Sequence, residues 1–448
     1  MALREMAQAL GGKLHGSDVE FTGVSTDTRL IRNGELFVAI QGPNYDGHLF
    51  LPEAENKRAA AALVCRTVSS GLPQVSVRDT RLGLGTLAGY WRNKFDCPIV
   101  AVTGSNGKTT VKEMIGNILR STGTILVSRG NLNNDIGLPL VLCGLREEHD
   151  CAVVELGMNH AGEIDYLSRL ARPRVAVITN AAPAHLEGLG TVDAVAQAKA
   201  EIFAGLTPEG VAVINADDAF ADTWRRRVRN HECITFGIEQ SADITADQLN
   251  VTSLASSFSL NTPLGDCDVT LPLPGRHNVM NALASTAAAI AMGADLDHIR
   301  RGLGAAAPVS GRLKTRSGYN GSTVIDDSYN ANPISMLVAI QVLAASPGLK
   351  TLVIGDMKEL GDEAETLHTE VGRQARQAGI DHLLTFGTLS RCAALGFGKG
   401  VRQFDNKTEL IESLKRDLDT NTTVLIKGSR GMHMEEVVQA ITVNEVMH

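Results

Sequence analysis

The stretch PIVAVTGSNGKTTVKEMIGNIL, which begins at Pro98, holds the residues best suited to chemistry. An apolar run, Ile99 to Val102, breaks at Thr103 and Gly104, and Gly107 comes just before Lys108, Thr109 and Thr110. Apolar residues then recur at Val111, Met114, Ile115, Ile118 and Leu119, the spacing of one helix face. Strand, glycine turn and helix start make a phosphate cradle. The backbone N–H groups of Gly104, Ser105, Asn106 and Gly107 face the anion, Lys108 reaches its outer oxygens, and the following hydroxyl can hold Mg²⁺. The full Walker pattern wants a glycine where Val102 stands, so the loop is the shorter TGSNGKTT. A chance glycine turn with a surface lysine is the plain alternative, and the co-occurrence of strand, turn, GKTT and amphipathic helix argues against it.

Other positions could act on what the loop holds. Glu155 ends the apolar run CAVVEL, and a carboxylate at the end of a parallel strand can bind Mg²⁺; a surface acid is the alternative. His185, in TNAAPAHLEGLG, follows the run RVAVITN and could be a metal ligand, an acid/base group or an ordinary loop residue. Lys199 lies on the apolar stripe of TVDAVAQAKAEIFAGL, with Val192, Val195, Ile202 and Leu206. An ammonium on a core-facing stripe costs free energy unless paired, neutral or modified; a lysine snorkelling at the stripe's edge is the alternative. Asp326, Asp327, Tyr329, Asn330 and Asn332 crowd one strand-to-helix loop, with Arg312 before it, and could grip adenine or ribose. Asn278 and Asn281 open a long helix and could do likewise, or cap it.

These residues need elements to position them. Residues 1 to about 80 mix short runs and turns: FTGVSTDTR and GELFVAIQG read as strands, NKRAAAALVCR as a helix running into a strand. A connecting helix, residues 79 to 95, marks the first boundary. From Pro98, the runs TILVS, CAVVEL, RVAVITN and GVAVINADD alternate with helices, the pattern of a parallel sheet covered on both faces. A Ser/Thr-rich stretch, 241 to 271, reads as an antiparallel edge of that sheet. The segment APVSGR, 307 to 312, marks the second boundary, after which STVIDDSYNANP, KTLVIGDM, DHLLTFG and TTVLIKGSRG suggest a small doubly wound domain. The fold class is therefore α/β in three domains: 1–82, 83–311 and 312–448.

Bulk composition narrows the function. The chain has 448 residues, 44% hydrophobic and 21% charged, as in a globular protein. Net charge is −8 and aromatic content 4%, so nucleic acid is a poor candidate partner. No apolar run nears a membrane span, and the N-terminus does not read as a signal peptide. Seven scattered cysteines with no CxxC suggest neither a disulfide framework nor a thiolate zinc site, and fit a reducing, cytoplasmic location. The sequence N-K-F-D at Asn93 to Asp96 precedes the loop, so it does not read as a guanine signature.

In order along the chain, TGSNGKTT, VELGMNHAGEI, NAAPAHLEGLG, AKAEIF, GRHNVMNALA, GRL and DDSYNANP resemble the Mur ligases of peptidoglycan synthesis. STDTR, GELFVAIQG, YDGHLF and GDMKELG resemble the member that joins D-alanyl-D-alanine to UDP-N-acetylmuramoyl tripeptide. The resemblance implies an N-terminal UDP-sugar-peptide domain, a central ATPase, a C-terminal domain that closes over ATP, and a monomer. It implies that ATP phosphorylates the tripeptide carboxylate and that the dipeptide amine attacks the acyl phosphate. Lys108 then matches the β/γ-phosphate lysine, Thr109 and Glu155 the ligands of one Mg²⁺, and His185 with a carbamylated Lys199 those of a second. Asn281, Arg312, Asp327 and Asn330 match positions around the nucleotide; Thr26, Asp27, Asp46 and His48 match loops that handle the UDP-sugar; Asn134 is expected at the peptide end. Tyr329 stands where related ligases carry a lysine, so that lysine's phosphate contact is not carried over. On this reading the dipeptide pocket is expected at loops 355–361 and 428–433. The rivals are a sister ligase, of another Mur step or the folate type, and a nucleotide-dependent switch that does no ligation. The STDTR and DGH segments speak against folate, and a carboxylate, a histidine and a lysine around the loop speak against a switch.

Overall fold

A computed structural model describes residues 1–43, 45–252 and 254–443. The N-terminal sheet runs in the order Lys13–His15, Gln74–Ser76, Ala61–Val64, Leu36–Val38, Val24–Ser25, parallel except for the first strand. Leu36–Val38 and Ala61–Val64 are buried along their whole length, which is why they read as unbroken apolar runs. The helix expected in NKRAAAALVCR lies earlier, at Leu51–Asn56; Arg58, at φ 61°, turns the chain into the strand. The helix Thr80–Arg92 starts where Asp79 accepts from the N–H groups of Arg81 and Leu82. The 82/83 boundary therefore falls inside a helix whose Leu84, Leu87 and Ala88 pack in one core with Leu36 and Ile99.

The central sheet is six-stranded and parallel, in the order Glu232–Phe236, Val211–Asn215, Val175–Ile178, Ile99–Thr103, Cys151–Glu155, Ile125–Val127. The phosphate-loop strand lies between the strands that lead to His185 and Glu155. The order switches direction there, the place where such sheets bind ligands at strand C-terminal ends. Residues 245–271 are antiparallel as expected but form their own three-stranded sheet, not an edge of the main one. Its Phe258, Leu260, Val269 and Leu271 pack with Val279 and Leu283 of the helix Arg276–Ala291, in one core with Val100 and Val177 of the parallel sheet, so the small sheet buries its apolar face without pairing its edge to the large one. The single helix expected across 191–206 divides into an α-helix, Val192–Lys199, and a 3₁₀ turn, Ala200–Gly205. Ser168 holds that turn: its hydroxyl donates to the Ile202 carbonyl at 2.5 Å and accepts from the Gly205 N–H at 3.1 Å.

The C-terminal sheet runs in the order Lys314–Ser317, Thr323–Asp327, Thr422–Lys427, Leu349–Gly355, His382–Phe386, Val401–Phe404, and is parallel except for the first strand. The two strands absent from the sequence reading, Lys314–Ser317 and Val401–Phe404, are polar, partly exposed edges without an apolar run. Asn332 caps the helix Pro333–Ala344 in a capping box with Ser335, and Pro333 takes the first helical position. Among the described residues no helix is long and apolar enough to cross a membrane, and all seven cysteines are free thiols.

Candidate active site

The loop after Ile99–Thr103 is tied to the neighbouring segment that follows Val175–Ile178. Ser105 N–H donates to the Asn180 carbonyl (3.0 Å), Asn106 N–H to Asn180 Oδ1 (2.9 Å), and Thr179 Oγ1 to the Asn106 carbonyl (2.6 Å). A Cβ at Gly104 would lie 1.8 Å from Thr179 Oγ1, and one at Gly107, where φ is 83°, 2.3 Å from Asn281 Oδ1. The backbone can approach so closely only because both are glycine. Gly107 precedes the helix Lys108–Leu119, whose free N–H groups open on a cleft of about 960 Å³. Lys108 curls back so that Nζ donates to the Gly104 carbonyl at 2.7 Å; its pKa is lowered, chiefly by desolvation. Thr110 also lines the cleft.

Thr109 and Glu155 are buried together. Thr109 Oγ1 donates to Glu155 Oε2 (2.8 Å), and Asn133 Nδ2 donates to Glu155 Oε1 (2.8 Å). A hydroxyl and an oriented carboxylate are hard oxygen donors of the kind Mg²⁺ takes, with phosphate oxygens and waters completing its shell. Among the described residues no three His, Cys, Asp or Glu side chains converge as a group that could hold a metal ion. Lys199 also lines this cleft and is 1% exposed; among the described residues no carboxylate lies within 4.0 Å of its amine. Its pKa falls well below the ordinary lysine value, first from desolvation and second from the Lys108 charge. Both causes act against the charged form of the amine.

The third unit closes the cleft from the other side. Arg312 Nη2 donates to Thr109 Oγ1 (2.9 Å), Asn332 Nδ2 to Asn106 Oδ1 (2.9 Å), and Glu359 Oε2 lies 2.6 Å from His185 Nδ1. His185 holds the Glu359 carboxyl below the usual carboxylate range. Asp327 is buried against Lys427 (2.6 Å), which also donates to the Asn330 carbonyl (2.8 Å). Burial pushes the Asp327 carboxyl up, while Lys427 opposes the shift. Two guanidinium groups lie over the Tyr329 ring, with Arg312 Cζ 4.5 Å and Arg430 Cζ 5.7 Å from its centroid.

The cleft thus brings together Lys108, Glu155, His185, Lys199, Asn281, Arg312, Asp327 and Asn330. Asn134 reaches it too, while its Oδ1 accepts from the N–H of Gly137 (2.8 Å) at a helix start. Asn278 lines it as well and ties its helix down through the Pro274 carbonyl (2.7 Å). Thr26, Asp27, Asp46 and His48 are not brought to this cleft. Asp27 is taken by Arg29 (2.6 Å), and Asp46 by Arg66 (2.5 Å). His48 is 2% exposed, with Nδ1 on Asp46 (2.6 Å) and Nε2 accepting from the Cys65 N–H (3.0 Å). Both ring nitrogens thus tie the loop to its own neighbours. Loops 355–361 and 428–433 do not line the cleft either. Lys427, Glu359 and Asn133 were not singled out from the sequence. The one available signal was a lysine ending the otherwise apolar run TTVLIK.

Comparison with known proteins agrees with this geometry. Family models for the Mur ligase middle domain and for the Mur ligase, glutamate ligase domain match residues 102–289 and 311–430. The UDP-N-acetylmuramoyl-tripeptide--D-alanyl-D-alanine ligase of Escherichia coli (strain K12) is 45% identical over 447 residues, 99% of each chain. The chain belongs to the Mur ligase family. A second Mur ligase of the same name, from Bacillus subtilis (strain 168), is 35% identical and covers 98% of this chain and 97% of its own. A crystal structure of the Mur ligase MurF from Acinetobacter baumannii matches with a TM-score of 0.91 at 37% identity over 97% of both chains. MurF from Thermotoga maritima, in complex with ADP, matches at 0.81 and 28% identity, covering 93% of this chain and 96% of that one. A Mycobacterium tuberculosis folylpolyglutamate synthase, at 19% identity and TM-score 0.63, shares the Mur ligase fold alone.

Proposed function

We propose that this Mur ligase uses ATP to join D-alanyl-D-alanine to the C-terminal carboxylate of UDP-N-acetylmuramoyl tripeptide. The tripeptide carboxylate attacks the γ-phosphorus, and the bond to the β-phosphate oxygen breaks to release ADP. The amine of the dipeptide then attacks the acyl phosphate carbonyl, loses a proton, and the tetrahedral intermediate expels phosphate to leave an amide. The observation that carries this reading is the full-length 45% identity to a ligase named for that reaction, with the phosphate loop, Glu155 and Lys199 around one cleft.

The residues take roles that follow from charge. A carboxylate and a triphosphate repel, and fixed positive groups must offset that repulsion. Lys108 and the N–H groups of the loop would neutralise the outer phosphate oxygens. Arg312, Asn281, Asp327 and Asn330 would hold the nucleotide across the two units, and Asn134 the peptide end. Thr109 and Glu155 would hold one Mg²⁺, and His185 with a carbamylated Lys199 a second, the ions supplying further charge neutralisation at the phosphoryl group. The lowered pKa of Lys199 supports the modification, because only a neutral amine has the lone pair that attacks CO₂. The product, a carbamate, converts a lone buried base into an oxygen ligand. Thr26, Asp27, Asp46 and Arg66 would shape the UDP-sugar loops, with His48 beneath them as support.

The test is phosphate release from ATP and Mg²⁺ with the UDP-tripeptide and D-alanyl-D-alanine together and each alone. Release that needs both, with a product heavier by the dipeptide minus water, is expected. Release driven by a different acceptor or amine would move the chain to another step. Tight ATP binding with no stimulated release under any pair would remove ligation itself.

A further inference from the structure

We propose that Glu359 is a positioning residue for His185: a carboxylate carried by the C-terminal unit orients the metal-binding imidazole of the central unit, so the second metal site is complete only when the two units are docked. The inference rests on the reading of His185 as a metal ligand.

Four observations carry it. First, Glu359 Oε2 stands 2.6 Å from His185 Nδ1. The approach is skewed from an aligned hydrogen bond, and Nδ1 has no other partner among the described residues. A carboxylate at Nδ1 favours the tautomer with its proton there and leaves Nε2 free to coordinate, the arrangement by which outer groups orient metal-binding histidines. Second, both residues hold left-handed backbone, His185 at φ 58° and Glu359 at φ 65°. Neither is glycine, so both sides of one contact keep a disfavoured conformation that the surroundings must impose. Third, the contact is doubled by the backbone, since Glu187 N–H donates to the Glu359 carbonyl at 3.2 Å. Fourth, the loop that carries Glu359 is fixed on both sides. Met357 N–H donates to His368 Nε2 (2.9 Å), Lys358 N–H to Ser429 Oγ (2.8 Å), and Leu360 is 2% exposed. An adventitious surface pair would need none of this, since exposed ion pairs form without backbone strain or a preset loop.

The experiment measures Mn²⁺ directly, by the electron paramagnetic resonance signal of the free ion, on the full chain with a non-hydrolysable ATP analogue and the UDP-tripeptide. The wild-type protein is expected to bind two Mn²⁺. Glu359→Ala is expected to weaken the second ion roughly 10- to 100-fold and to leave the first ion and the nucleotide affinity unchanged. Glu359→Gln, which keeps an acceptor oxygen, is expected to fall between them. His185→Ala is expected to lose the second ion, and adding Glu359→Ala to it should change nothing more. Two wild-type Mn²⁺ affinities in both Glu359 variants, with loss only in His185→Ala, would overturn the positioning role alone. Two ions retained in His185→Ala would overturn the ligand reading and the inference with it. Circular dichroism and analogue binding identify any variant that fails to fold, and Glu359→Gln then decides.

Discussion

Replacing Lys199 by methionine should make the central unit more stable when CO₂ is absent. The amine is 1% exposed, and among the described residues it faces no carboxylate within 4.0 Å. Its folded pKa is depressed, first by desolvation and then by Lys108. In the unfolded chain a lysine titrates near ~10.4. Between the depressed folded value and that unfolded value, the unfolded state binds one more proton than the folded state. Stability therefore rises with pH across this window, by about 1.4 kcal/mol per pH unit, and falls as pH drops through it. Methionine has a similar length and no proton to bind. The wild-type-minus-variant difference should thus change by about 1.4 kcal/mol per pH unit, since other titrations cancel. Trp224 gives a local readout: it is fully buried, and its Nε1 donates to the Ala196 carbonyl (3.0 Å) on the helix that ends at Lys199. Urea titrations of its fluorescence, in a Trp91→Phe background with EDTA and CO₂-free buffer, measure the difference. Bicarbonate should then stabilise the wild-type protein and leave Lys199→Met unchanged. A difference flat with pH, or a variant less stable than wild type at pH 7, would refute the argument from a depressed lysine pKa.

Two further outcomes follow from the cleft. Lys108→Ala should lower turnover on the order of 10²- to 10³-fold, as when one preorganised charge-stabilising donor is removed, with unchanged circular dichroism; wild-type rates would remove the loop lysine from the chemistry. Lys427→Met leaves the buried Asp327 carboxylate without its 2.6 Å partner and should destabilise the C-terminal unit by about 3–5 kcal/mol near pH 7. The Asp327 carboxyl is already raised by burial, so lowering the pH, which protonates it, should shrink that penalty, and Asp327→Asn in the same background should recover stability. A penalty that grows as the pH falls would be inconsistent with this pairing.

Much of the site was legible because it is local. Gly104 to Thr110 form one continuous turn and helix start, and the apolar runs on either side name their own strands by burial on both faces. Glu155 and His185 were placed by following strand ends, and that reasoning needs only the parallel alternation. Errors fell where local pattern was weak or captured from outside. The 3₁₀ turn after Lys199 is set by Ser168, and the sheet of residues 245–271 is set by the helix it packs on. The sequence places His48 in a loop that resembles the UDP-sugar loops, and only the folded chain shows that Asp46 and the Cys65 backbone use both of its ring nitrogens.

Taken alone, the sequence determined the α/β class, the phosphate cradle and the ordered motifs of the Mur ligases, because hydrophobic period, glycine spacing and residue type act over a few positions. Only the tertiary structure decided which charges meet. Lys427 reaches Asp327 from the neighbouring strand, Arg312 reaches Thr109 across 203 positions of chain, and Glu359 reaches His185 from another unit. Such pairs depend on how sheets register and units dock. Packing of whole elements sets that outcome, and no window of neighbouring residues contains it.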